Sequence, residues 1–126
     1  MRTGPLMLPI LLCMFLAPPE KQAADDPSAV MGRSFAVYAL SRGAGVPTQT
    51  RTAFRAIRQL LEELRAQGKV RRMSSQRIGL EGETRLCAEF ADEVTASAAL
   101  AKVKQRAAGV ELLNVMVEPC PGANEP

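Results

Sequence analysis

Arg51, Arg55 and Arg58 stand at i, i+4 and i+7, the spacing that places three guanidiniums on one flank of a helix. They crowd an N-terminal end where the helix dipole is already positive, so an anion lying across them would relieve a standing cost. The surrounding charge is lopsided in the same sense. Residues 33–80 carry ten Arg and Lys against two Glu, a net of +8, whereas residues 81–126 carry four against eight acids, a net of −4. Such asymmetry fits an anionic partner. It also fits a fold that interleaves its halves and neutralises the arginines internally, since most charge runs are solvated faces. Gly43-Ala44-Gly45, just ahead of these arginines, could present backbone N–H groups to an anion. Its spacing is neither the dinucleotide fingerprint nor a Walker loop, and a turn requiring positive φ accounts for it.

The other chemistry is thin. The chain has no His, which removes the commonest general base, the commonest zinc ligand and any Ser-His-Asp or Cys-His machinery. Cys87 and Cys120 have no C-x-x-C partner, and with Met116 they are too scattered to suggest a metal site. Glu81, Glu83, Glu89 and Glu111 fall around a hairpin and strand ends, where solvated acids are expected, and nothing marks one as a general acid. No catalytic residue, metal or cofactor is implied.

The elements that must position these residues follow from hydrophobic periodicity. Ser34 to Leu40 is apolar on both alternating faces, which suits a central strand. Pro47 is placed to open a helix from Thr48 to Gln67, in which Ala53, Phe54, Ile57, Leu60, Leu61 and Leu64 form one stripe and Gly68 is the stop. Val70 to Leu80 reads as a polar strand, with Glu81-Gly82 as the hairpin turn. In Thr84 to Ala91, Leu86, Ala88 and Phe90 alternate with Arg85, Cys87 and Glu89, so one face meets the core and the other meets solvent or a partner. Asp92 can cap a helix from Glu93 to Ala108 whose buried face is Ala96, Ala99, Leu100, Val103 and Ala107. Val110 to Val117 is the last strand. The order β-α-β-β-α-β is the split, ferredoxin-like α+β arrangement: a two-layer sandwich with two helices on one face of a four-stranded antiparallel sheet.

In that fold the face away from the helices should expose Arg85, Cys87, Glu89, Leu112 and Met116, with Tyr38 and Leu40 from the first strand. This half-apolar surface suits a homodimer, a ligand, or cover by the chain's own tail. RNA-recognition modules share the strand–helix order, but they stack bases on aromatics of the central strands. Here Phe90 belongs to the buried face and the Gly-aromatic signature is missing, so nucleic acid is not the expected partner.

Residues 1–24 do not read as part of the fold. Arg2 and the amino terminus precede an apolar run from Leu6 to Ala17, which suits a signal peptide and is too short to span a bilayer. A buried segment of a cytosolic protein is the competing reading. With residues 1–24 removed, Cys13 is lost and Cys87 and Cys120 remain, an even pair that in an oxidising compartment reads as a disulfide. Residues 25–33 form a polar linker, 34–118 the domain, and 119–126 a flexible tail rich in Pro, Gly and Asn. With 47% hydrophobic and 23% charged residues, the chain is neither disordered nor multi-pass. These features point to an exported module, periplasmic or secreted, without an integral membrane span once mature. It would bind a protein partner, a second copy of itself or an anionic surface, through the open sheet face or the basic helix flank, without catalysis. The alternative is a small dimeric ferredoxin-like enzyme with a ligand pocket between sheet and helices.

Overall fold

A computed structural model describes residues 32–122; the predicted signal peptide and most of the predicted linker lie outside the described residues. The chain forms β1 (Ser34–Ala39), α1 (Thr48–Ala66), β2 (Val70–Arg77), β3 (Thr84–Phe90), α2 (Glu93–Ala107) and β4 (Leu113–Met116). The strands make one antiparallel sheet in the order β2-β3-β1-β4. This is the split β-α-β-β-α-β, α+β arrangement that the periodicity predicts. Both helices cover one face, and Phe35, Val37, Leu86, Ala88 and Phe90 of the central strands meet Ile57, Leu61, Ala96, Ala99 and Val103 in a single core. Phe35 and Phe90 stack with ring centroids 5.4 Å apart. Burying Ile57 and Leu61 completely stabilises the helix–sheet contact by about 1.5–3 kcal/mol each.

Helix ends follow local chemistry. Pro47 precedes α1, and its carbonyl accepts the Arg51 N–H at 2.9 Å. Gly68, at φ +79°, adopts the left-handed conformation just past the end of α1. Asp92 caps α2 by accepting the Thr95 N–H at 2.7 Å. That hydrogen bond holds the Asp92 carboxyl below its ordinary pKa. A group depressed in the folded state contributes stability above its unfolded pKa and loses it as pH falls through the folded value. Replacement of Asp92 by Asn should therefore flatten the acid limb of the stability–pH curve below about pH 4. Urea unfolding at a series of acidic pH values measures this, and identical slopes would refute it.

Most boundaries fall within one residue of the periodicity, but the end of β2 and the start of β4 each shift by three. The second strand ends at Arg77, and the turn expected at Glu81-Gly82 is a six-residue loop, Ile78–Glu83, closed by the Ile78 N–H donating to the Glu83 carbonyl at 3.0 Å. The Glu83 carboxylate folds back over Gly79, where a Cβ would sit 1.7 Å from Oε1 and would make that side chain turn away. Ile78 and Leu80 thereby leave the sheet, and Leu80 is 99% exposed. The last strand begins at Leu113, since Leu112 has φ +63° and cannot extend the ladder. Leu112 is thus outside the strand; its carbonyl instead accepts the Leu40 N–H at 2.8 Å. A bulge between Val70 and Arg72 sets Arg71 and Arg72 together opposite Glu89.

Candidate functional site

Two surfaces hold the residues that could act, and the fold treats them differently. On the open sheet face, Tyr38, Arg85 and Cys87 come together as expected, because Tyr38 pairs with Arg85 and Ala36 with Cys87 in register. The residues after β4 then cross this face. Cys120 is bonded to Cys87, with the Cα atoms 5.5 Å apart. The Ser34 hydroxyl donates to the Glu118 carbonyl at 2.8 Å. Arg85 donates from Nε and Nη2 to Glu118 Oε2 at 2.9 and 2.7 Å, and from Nη2 to the Pro119 carbonyl at 3.1 Å. The Tyr38 hydroxyl donates to the same carboxylate oxygen. Burial works against the charge on Arg85, but its hydrogen bonds to Glu118 and Tyr38 outweigh that and raise its pKa. The predicted tail is therefore anchored at its start: Cys120 is buried, and residues 123–126 lie outside the described residues.

Glu89 is not a free carboxylate either. It is 4% exposed and faces Arg72 Nε at 3.5 Å and Arg71 Nη1 at 3.9 Å, the two cations the bulge sets against it. Met116 is half exposed on the edge strand β4, opposite Ala36, which in turn pairs with Cys87. The open face thus divides into a strap held by Tyr38, Arg85 and Cys87, an internal ion pair at Glu89, and a half-exposed thioether on the edge strand. Tyr38, Arg85 and Glu118 are engaged with one another, whereas Ser74 Oγ and Glu89 Oε1 are buried without a hydrogen-bond partner among the described residues.

The basic flank is different. Arg51, Arg55 and Arg58 line a cleft of about 300 Å³ at the end of the sheet where β1 finishes and β3 begins. Its floor is Ala39, Val46 and Phe54, and its far wall is Gly82 and Thr84 from the hairpin. Arg58 lies 5.7 Å from the centroid of the Phe54 ring and donates to the Ser75 hydroxyl at 2.9 Å, which fixes its guanidinium at the wall. Among the described residues the Arg51 guanidinium reaches only the Thr48 hydroxyl, at 3.5 Å, and both Arg51 and Arg55 are exposed. Among the described residues, none of the three has a carboxylate oxygen within 4.0 Å. The ion pairs of the described chain are Arg42–Glu111, Arg71–Glu89, Arg72–Glu89 and Arg85–Glu118. The interleaved halves do neutralise charge, but elsewhere.

Several contributors were not visible in the sequence. Glu118 organises the strap from 80 and 33 residues away from Tyr38 and Arg85, separations that leave no local pattern. Val46 and Thr84 enter the cleft only because the Gly43–Gly45 turn and the hairpin converge on the same end. Both glycines of that turn have positive φ, +108° and +86°, as a plain turn demands. The Gly43 N–H donates to the Ser41 hydroxyl at 2.8 Å. Comparison with family models, curated proteins and solved structures gives no match. The chemistry of these surfaces is accordingly read from their own geometry.

Proposed function

We propose that this protein is an exported, non-enzymatic binding module that engages an anionic partner at the arginine cleft. The observation that carries this reading is the contrast between its two surfaces. The open face is crossed by the chain's own strap, while three guanidiniums converge on an apolar floor with no carboxylate beside them among the described residues. Guanidiniums donate hydrogen bonds and stay charged at any physiological pH, so this lining suits anion capture and supplies no group to take up a proton. The Cys87–Cys120 bridge supports export, because such bonds persist in oxidising compartments. The apolar run at residues 6–17 supports it independently. With the open face covered, association through that face, including a homodimer, is the weaker reading.

The test is retention on an immobilised acidic polypeptide, polyglutamate. The wild-type chain should be retained, and elution should move to lower salt by severalfold in the triple variant Arg51→Gln, Arg55→Gln, Arg58→Gln. Thermal stability should be equal or slightly higher in the variant, since three like charges leave the positive end of α1. Retention indifferent to both salt and the triple substitution would sink the cleft as a binding site.

A further inference from the structure

We infer that the partner of the arginine cleft is the surface of an anionic phospholipid membrane, on which the hairpin loop between β2 and β3 inserts. This rests on the preceding assignment of the cleft as the working site and adds the class of its partner. Three observations meet at one end of the molecule. The first is the cleft, whose three arginines present forked donors to phosphate oxygens, the geometry suited to phosphodiester headgroups. The second is Arg77, the last residue of β2, which pairs in register with Thr84 of the cleft wall and has no carboxylate oxygen within 4.0 Å among the described residues. The third is the loop itself. Leu80 is 99% exposed at its tip, with Ile78 44% exposed beside it, so two branched apolar side chains project where Gly82 forms the cleft rim.

A protein partner with acidic groups would account for the arginines and leave Leu80 unexplained. An interfacial membrane site accounts for both, because apolar side chains enter the headgroup boundary while cations hold the phosphates. Glu81 and Glu83 are the opposing charges in the loop. Glu83 folds its carboxylate back over Gly79, and the four arginines outnumber the two acids. Among the described residues no helix is long and apolar enough to cross a membrane, so attachment would be to the surface.

Each arginine near an anionic bilayer strengthens partitioning roughly fivefold, so three together give about a hundredfold. Insertion of the Leu80 side chain adds roughly tenfold. The experiment is co-sedimentation of the chain, recovered from an exporting host, with vesicles of phosphatidylcholine alone and of phosphatidylcholine mixed with phosphatidylglycerol. The difference between the two vesicle types is the readout, because any contribution from the apolar run at residues 6–17 is common to both. The wild type should prefer the anionic vesicles, with Leu80→Ser losing about tenfold and the triple arginine variant about a hundredfold. Leu80→Ser alters a fully exposed side chain, so its fold should be unchanged by circular dichroism. Equal partitioning on both vesicle types, or anionic partitioning indifferent to Leu80→Ser, would overturn the membrane assignment. If polyglutamate retention stays arginine-dependent in that case, the cleft reading survives with a protein as its partner. If it does not, both fall together.

Discussion

Replacement of Phe90 by alanine is expected to lower the free energy of unfolding by about 3–5 kcal/mol, the range for truncating a buried aromatic side chain. Phe90 has no exposed surface, stacks on Phe35, and ends β3, one of the two central strands, within the core that both helices cover. Its neighbours are held by the sheet register on one side and by helices on the other, so the space left behind would not collapse fully. A domain of this size has a total stability of only about 5–10 kcal/mol, so the variant should approach the limit of folding at physiological temperature. Urea denaturation followed by circular dichroism measures it. A loss under about 1 kcal/mol would mean that the interior around Phe90 is looser than the packing indicates.

The second large effect is expected from removing the Cys87–Cys120 bridge. Its partners are 33 residues apart in sequence, and closing such a loop stabilises by about 3–4 kcal/mol on the chain-entropy account. Cys87→Ala with Cys120→Ala should therefore lower Tm by roughly 12–30 °C. A chemical reductant added to the wild type should do the same. The strap adds a distinguishing signature: its amides, and those of β3 beneath it, should exchange faster in the variant, while α1 amides change in proportion to global stability alone. An unchanged Tm in both experiments would show that Glu118, Arg85 and Tyr38 hold the strap without the bond.

The parts of this fold legible in the sequence are those written at short range. Phe54, Ile57, Leu61 and Leu64 declare α1 by spacing, Gly68 and Asp92 mark helix ends, and Leu86, Ala88 and Phe90 declare the buried face of β3. The arginine flank was legible for the same reason, because one helix carries it. The cysteine pair could be anticipated by counting. What lay out of reach depends on backbone choices or distant partners. Leu112 adopts a conformation that its β-compatible neighbourhood conceals, and Ile78 leaves the sheet although its side chain would suit a strand. Glu89, an acid on an alternating strand, reads as solvent-facing, yet a one-residue bulge in the neighbouring strand supplies two cations and allows it to be buried. The fate of the open face was similarly undecidable, because a covering strap and a partner surface ask for the same half-apolar pattern.

The strap and α2 lie on opposite faces of the sheet, and β1 lies between β3 and β4. From Cys87 the chain passes along β3, over one face through α2, down β4 and back under the other face to Cys120. The covalent ring so closed encircles β1, which threads it as a cord threads a bead. Once the bond has formed, β1 cannot leave sideways and could be withdrawn only lengthwise. Assembly consequently has an order. If the ring closes before β1 has taken its place, the strand must be drawn through an aperture already shut; if the sheet forms first, the bond merely locks what is there. For a chain oxidised during folding, the late position of Cys120 is protective, since the thiol that closes the ring is presented only after everything it must enclose.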